Sequence, residues 1–294
     1  MTAPARVDKQ WKDKGLTGYS TEAILGTLGH YGVALDEAAF KAAASSRFPL
    51  EIALDWKPKW KGTGQFAPFP YAAANELSNR LLPEQPTPMK IVHIVLDLIA
   101  NALKLVAGKE DANLPGAFVN WDEVVPRLPA KGERRDAFLR ELVTFLESWA
   151  QTFNELPERL AKAGKKDEAL RFALVHEVLF TDREGCMTAL VRAQSGEREA
   201  AVADLRQWAE ESARDVFARY SALDALFQLE EFETTKGLGL VVFDAAAKEE
   251  KWGLADSIAH LLGHVAQKIG GDATFMREVR NRLDRAHAHT GGHH

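Results

Sequence analysis

The sequence predicts an all-α protein, and three observations point to this class. Apolar residues recur at helical spacing along most of the chain, most regularly after Glu133. The 294 residues include only 12 prolines and 21 glycines, too few for the many turns of an all-β protein. Apolar residues make up 46% of the chain, which is enough to fill a large core. We therefore expect antiparallel helical hairpins that stack on one another, preceded by an irregular helical region.

The charge and the cysteine content exclude several classes of function and of stabilising site. Lys and Arg number 37 and Asp and Glu number 42, so the net charge is −5 and phosphate-driven binding to nucleic acid is not expected. The one cysteine, Cys186, excludes an internal disulfide framework and a cysteine-based metal cluster. No apolar targeting segment follows the basic residues near the N-terminus, and we expect a cytoplasmic protein.

The N-terminal region, residues 1–130, is predicted to begin with short helices. Helices are expected at 21–31 and at 36–44, and Asp36 is placed to cap the second of them. A third helix at 72–82 should end before Pro83. Such short elements favour an irregular helical arrangement in this region.

A loop at 52–71 separates these helices. It contains prolines at positions 58, 68 and 70, which rule out a continuous helix. Lysines alternate with Trp56 and Trp60 in this loop, and Phe66 and Phe69 follow. The aromatic rings either pack against helices of the same chain or contact a protein partner. The local positive charge is too small to favour nucleic acid.

A longer helix is predicted at 89–106, with Pro88 in its first turn and Gly108 just beyond its end. Its polar residues step by three or four and form one narrow stripe; they are Lys90, His93, Asp97, Asn101 and Lys104. Charged residues are rare within a membrane span, so we expect a buried central helix and no membrane insertion. A polar loop at 109–119 and a short helix at 121–128 should follow.

The C-terminal region, residues 131–294, is predicted to be almost continuously helical. Its first apolar face consists of Phe138, Leu142, Phe145, Leu146, Trp149 and Phe153. Helix breaks are expected at Pro157, Gly164, 181–182, 195–196, 230–231 and 270–271. The stretch 238–243 has the composition of a short strand, but its flanks favour helix.

Two stretches of this region resemble each other. They are AKAGKKDEALRFA at 161–173 and AQSGEREAAVADL at 193–205, and their glycines, Gly164 and Gly196, lie 32 residues apart. A glycine can end a helix in the left-handed conformation without strain. A small residue five positions later, Ala169 or Ala201, allows two helices to approach closely. The pattern is that of two helical hairpins in succession.

This pattern resembles the tetratricopeptide repeat (TPR), whose hairpins recur about every 34 residues. The turn glycines and the two alanines match the family, as does Ala189 in a first helix. Lys166 and Arg198 stand where the family has an aromatic residue. A third unit near residue 230 keeps the helix break but lacks the glycine. The resemblance implies a solenoid with a concave groove over about 154–269; the alternative is an irregular helical bundle.

One group of residues is suited to metal binding. Asp256, His260 and His264 follow one another at intervals of four, so they lie near one stripe of a helix. Leu261 replaces the glutamate that would follow the first histidine of a metalloprotease helix. The alternative is a solvated polar stripe without metal. The His-rich segment at 287–294 is expected to be a flexible tail.

The preferred functional hypothesis is a non-enzymatic adaptor that binds a protein or peptide partner and needs no cofactor. The candidate partner-binding residues are Trp56, Trp60, Phe66, Arg192, Arg219, Tyr220 and Trp252. Two alternatives remain open. One is a metal-dependent enzyme of the helical-bundle type that uses the stripe at 256–264. The other is a structural subunit whose helix 89–106 buries against another chain.

Overall fold

The computed structural model of the chain describes residues 6–130, 132–180, 185–270 and 273–290. Helices dominate these residues, which contain no β-strand, so the predicted all-α class is confirmed. The predicted break at 181–182 and the last four residues of the expected tail lie outside the described ranges. The stretch 238–243 is helical, as its flanks indicated. No helix in the described ranges is both long and apolar enough to cross a membrane.

The chain divides into two compact units. The first unit comprises Met1–Lys104 and Glu110–Ala150, and the second comprises Leu105–Lys109 and Gln151–His294. The helices of the first unit are α1 (Trp11–Lys14), α2 (Thr21–His30), α3 (Glu37–Ala44), α4 (Pro49–Trp56), α5 (Phe69–Leu81), α6 (Pro88–Val106), α7 (Leu114–Val124) and α8 (Glu133–Leu146). Short 3₁₀ turns interrupt the chain at Lys57–Lys59, Gly64–Phe66, Val125–Arg127 and Glu147–Trp149.

Local chemistry explains where several of these helices begin. The side chain of Asp36 accepts a hydrogen bond from the backbone N–H of Ala39 at 2.8 Å, as predicted for the N-cap of α3. Residues 114–119, which we expected to form a loop, belong instead to α7. Asn113 caps that helix by accepting from the N–H of Gly116, and proline occupies its first turn. The sequence prediction missed the start of this helix because it relied on the polar composition of 109–119.

The helix predicted at 89–106 corresponds to α6, which begins one residue earlier at Pro88. Its buried face includes Ile91, Val95 and Leu98, and four of the five polar residues of the predicted stripe are exposed. Gly108 follows the helix at a φ of 66°, a left-handed conformation that glycine adopts without strain. The spacing of polar residues therefore identified the outer face of this helix.

The second unit contains the remaining helices. They are α9 (Ala150–Lys162), which begins at the last residue of the first unit, α10 (Lys166–Leu179), α11 (Cys186–Arg192), α12 (Arg198–Glu210), α13 (Val216–Gln228), α14 (Phe232–Lys248), α15 (Trp252–Ile269) and α16 (Ala273–Thr290). From α10 onward, each helix packs against the next. Contacts also join α11 to α13, α12 to α14 and α13 to α15. Pro157 does not end a helix as predicted: it lies inside α9, which continues past it to Lys162 although proline has no N–H to bond one turn back.

Three turns of the second unit contain a residue in the left-handed conformation at the same place. Gly164 and Gly196 have φ values of 74° and 96°, as expected for glycines that end helices. At Gly164, the N–H of Lys165 donates to the carbonyl of Leu160 at 2.9 Å, which closes the turn. Glu230 has a φ of 62°, and Glu231 donates in the same way to Leu226. A glutamate therefore takes the place of the missing third glycine.

The spacing after these turns is regular. The fifth residue after each turn residue is Ala169, Ala201 and Thr235, and all three are fully buried. The turn residues themselves follow one another at intervals of 32 and 34 residues. Small or compact side chains at these three positions let the paired helices pack closely.

Candidate functional site

The second unit contains a cavity of about 460 Å³. All its lining residues belong to α11, α13 and α15: Cys186, Met187, Leu190, Phe217, Tyr220, Ser221, Asp224, Ala225, Gln228, Gly253, Leu254 and Ser257. Three helices that alternate along the chain thus contribute one continuous surface, which we call the groove.

The groove combines an apolar floor with a polar edge. Met187, Leu190 and Leu254 are buried and form the floor. Small residues keep the space open, and a Cβ added at Gly253 would meet no atom within 4 Å. Phe217 is 44% exposed at the edge of the groove, and the ammonium nitrogen of Lys251 lies 5.0 Å from its ring centre. An exposed aromatic ring beside an apolar floor is a suitable anchor point for a partner.

Among the lining residues that the structure describes, Asp224 alone carries a charge. Asp224 is half-buried and accepts a hydrogen bond from the side-chain amide of Gln228 at 2.8 Å. None of the lining residues that the structure describes is basic. The groove therefore favours a ligand that carries an apolar group close to a positive charge.

The structure brings only one of the predicted partner-binding residues to the groove. Tyr220 lines it. Arg219 is buried, and its Nε donates to the carbonyl of Ala209 at 2.9 Å. Trp252 stacks on His289 with ring centres 3.8 Å apart.

Arg192 lies outside the groove and is held by two carboxylates. Its guanidinium is 2.7 Å from Asp204 and 3.1 Å from Glu197. The hydrogen bonds with Asp204 and Glu197 raise the pKa of Arg192 above its ordinary value. These pairings use Nε and Nη1 of the guanidinium and hold its side chain against Asp204 and Glu197, so Arg192 is a poor anchor as it is placed.

Sequence reasoning missed Phe217 and Asp224. A signal existed, because Phe217, Tyr220, Asp224 and Gln228 follow one another at intervals of three and four and so share one face of α13. The stripe was not recognised in the sequence because α13 also has buried, mostly apolar residues on its other faces.

The stretch 52–71, which we expected to be a loop, contains the end of α4 and the start of α5, so Trp56 and Phe69 lie on helices. Its aromatic residues lie in the first unit, where they pack together. Phe66 is buried in the core of that unit. The ring of Trp60 stacks on Phe69 with centres 5.9 Å apart, and its Nε1 donates to the carbonyl of Phe66 at 3.1 Å. Trp56 contacts Phe40, with ring centres 6.2 Å apart. These are the contacts of the packing hypothesis, and they leave little of Phe66 for a partner.

A second candidate group of side chains lies where α15 and α16 pack together. Asp256 and His260 of α15 are near each other, as their spacing predicted, but their third neighbour is His287 of α16. One potential ligand atom from each of the three residues lies within 4.8 Å of the others. His264 is exposed and outside this group. His287 and His289, assigned from sequence to the tail, lie within α16.

Comparisons with models of known protein families, with curated proteins and with solved structures found no match. A functional assignment therefore depends on the geometry of the groove and of the histidine cluster.

The first unit holds a buried acidic group that the sequence did not suggest. Glu141 is buried, and the hydroxyl of Tyr71 donates to its Oε1 at 3.1 Å. Burial raises the pKa of Glu141 to about 7, because the carboxylate loses its hydration. Burial also raises the pKa of Tyr71 well above its ordinary value. Both groups are therefore neutral in mildly acidic solution.

Proposed function

We propose that this chain is a non-enzymatic adaptor whose groove binds a peptide segment of a partner protein. The observation that carries the proposal is the composition of the groove, which is lined by alternate helices only. In a helical solenoid the first helices of successive hairpins form the concave face, and that face binds peptides. Here α11, α13 and α15 hold those positions, and α12, α14 and α16 are the second helices.

The proposal includes a TPR-like arrangement of antiparallel hairpins. Two kinds of observation support it. Contacts between every second helix are typical of stacked hairpins, and they occur at α11–α13, α12–α14 and α13–α15. The turn residues recur at intervals close to those of the family, and each is followed five residues later by a fully buried residue.

The chemistry of the groove defines the partner segment. An apolar side chain fits against Phe217 and the floor formed by Met187 and Leu254. A neighbouring Lys or Arg of the segment faces Asp224, the acidic residue of the lining. The expected ligand is therefore a peptide that places a bulky apolar residue next to a basic one.

A selection from a displayed library of random peptides tests this proposal. The purified full chain should enrich peptides with the apolar–basic pattern. Binding of the enriched peptides is then measured by fluorescence anisotropy. Phe217→Ala should weaken binding about fivefold or more, since an aromatic anchor is worth about 1 kcal/mol or more. Asp224→Asn should weaken binding to the basic peptides in particular and reduce its salt dependence.

Val241 provides a matched control, because it is an exposed apolar residue on α14 and does not line the groove. Val241→Ala should leave peptide binding unchanged. Failure to enrich any peptide, or equal binding by the parent and both groove variants, would reject the groove as the binding site.

A further inference from the structure

Three polar side chains converge where α15 and α16 pack together. Nε2 of His287 lies 3.0 Å from Oδ1 of Asp256. Nδ1 of His260 lies 3.6 Å from Oδ2 of the same carboxylate. The rings of His260 and His287 are 6.1 Å apart between centres, so the two imidazoles flank one carboxylate.

The three side chains lie close enough to share one metal ion. A tetrahedral ion with bonds of about 2.1 Å holds two of its ligand atoms about 3.4 Å apart. Nε2 of His287 and Oδ1 of Asp256 are 3.0 Å apart, and one ligand atom from each of the three residues lies within 4.8 Å of the others. Two imidazoles and one carboxylate form a common donor set for Zn²⁺ and related divalent ions, and they leave a fourth position for water.

The carboxylate has a further feature that favours an ion. Oδ1 of Asp256 is buried, yet it accepts no hydrogen bond from the part of the chain that the structure describes. The nearby Nε2 of His287 is within ion-pair distance but does not meet hydrogen-bond geometry. A cation between the two would satisfy this oxygen.

Contacts around the cluster hold its ligands in place. Nδ1 of His260 donates a hydrogen bond to the carbonyl of Asp256 at 2.9 Å, which fixes the plane of that ring and leaves Nε2 as its ligand atom. Next to the cluster, Trp252 of α15 stacks on His289 of α16 with the rings nearly parallel. Arg282 of α16 lies 3.2 Å from Asp244. The position of His287 is thus set by packing before any ion binds, as a preorganised site requires.

We propose that Asp256, His260 and His287 bind one divalent transition-metal ion, with Zn²⁺ as the reference ion, and that the ion fastens α16 to α15. The site shares no residue with the lining of the groove. Its ligands come from two helices, so binding should stabilise the junction between them.

Titration with Co²⁺ tests the site, because bound Co²⁺ absorbs visible light according to its coordination. The full chain is used with His293→Ala and His294→Ala, which removes two histidines that could bind the ion independently. We expect one equivalent to bind, to give the absorption of a low-coordinate ion and to be displaced by Zn²⁺. His260→Ala and His287→Ala should each weaken binding at least tenfold.

His264 provides the matched control, because it is an exposed histidine of α15 outside the cluster. His264→Ala should bind Co²⁺ like the parent. Zn²⁺ should raise the melting temperature of the parent and of His264→Ala, but not that of His287→Ala. Circular dichroism without metal checks that each variant is folded. If His287→Ala is not folded, His260→Ala replaces it in the comparison, because His260 is exposed.

Three results would overturn the proposal. Equal binding by the parent and His287→Ala would show that His287 is not a ligand. Loss of binding in His264→Ala with retention in His287→Ala would assign the ion to the stripe at 256–264 instead. Absence of stoichiometric binding in the parent would reject the site altogether.

Discussion

Nζ of Lys166 lies 2.8 Å from Oε1 of Glu197, and this ion pair joins two successive hairpin turns. Lys166 is the second residue after the turn residue Gly164, and Glu197 is the first residue after Gly196. The same relationship recurs one turn later, where Arg198 lies 3.0 Å from Glu231. Lys166 and Arg198, the second residue after each glycine, are therefore the ones that link each turn to the next.

These ion pairs are largely exposed, so they contribute little to stability. Their role is to position the turns, because each pair connects corresponding residues of two neighbouring turns. The hydrogen bond from Lys166, followed by that from Arg192, keeps the pKa of Glu197 below its ordinary value, which indicates that the carboxylate is held in its charged form.

The left-handed glutamate predicts a stabilising substitution. Glu230→Gly should stabilise the second unit by roughly 0.5–1 kcal/mol, since the left-handed conformation is costly for residues with a Cβ and not for glycine. Chemical denaturation measures the change. Glu249 is the control. Its neighbour Glu250 is left-handed, with a φ of 58°, but Glu249 itself has a φ of −86°, so Glu249→Gly should be neutral or destabilising. A Glu230→Gly protein that is less stable than the parent would contradict the conformation described for this turn.

Substitution of the turn glycines should have the opposite effect, a loss of stability. Gly164→Ala and Gly196→Ala should each destabilise the protein by about 1 kcal/mol, because both residues have positive φ. A Cβ at either position would meet no atom within 4 Å, so the cost is that of the backbone alone. Gly237 lies within α14 and has equally open surroundings. Gly237→Ala should therefore stabilise by roughly 0.5–1 kcal/mol, and melting curves of the three variants compare the effects.

Local patterns predicted most of the helices and both turn glycines, because helix periodicity and the conformational freedom of glycine act over a few residues. They did not predict Glu230 or Glu250 in the left-handed conformation. Glutamate adopts it only when the packing of the flanking helices forces the turn. Local composition therefore underestimated how far the tertiary structure determines these turns.

The candidate sites were harder to predict because they combine distant residues. Spacing along one helix identified Asp256 and His260, but no sequence pattern brings His287 to them from the next helix. Similarly, Tyr71 and Glu141 are 70 residues apart and meet only through the packing of α5 and α8. Tyr220 was identified as a partner-binding candidate, whereas its neighbours in the groove required the arrangement of three helices.

The packed aromatic loop predicts a loss of stability in the first unit. Trp60→Ala should destabilise by about 2–3 kcal/mol, since it removes ring contacts with Phe69 and Tyr31 and the hydrogen bond to Phe66. The melting temperature should fall by several degrees. Leu54→Ala, at an exposed position on neighbouring α4, is the control and should change stability little. An unchanged melting temperature in Trp60→Ala would show that these contacts do not stabilise the unit.

Burial of Glu141 predicts that the first unit loses stability as the pH rises. The folded protein raises the pKa of this carboxyl to about 7, so folding favours the protonated form. The resulting stabilisation is complete below the unfolded pKa, near 4.5, and is lost as the pH rises through about 7. Between about pH 5 and about pH 8, the free energy of unfolding should therefore fall by an amount on the order of 2 kcal/mol.

Glu141→Gln has no ionisable group at this position and should lose most of that dependence. Tyr71→Phe should shift the transition to higher pH, because the Tyr71 hydroxyl lowers the pKa of Glu141 by hydrogen bonding to it. Urea denaturation at the two pH values measures all three proteins. A parent and a Glu141→Gln variant with the same pH dependence would show that Glu141 is already ionised in the folded state at mildly acidic pH.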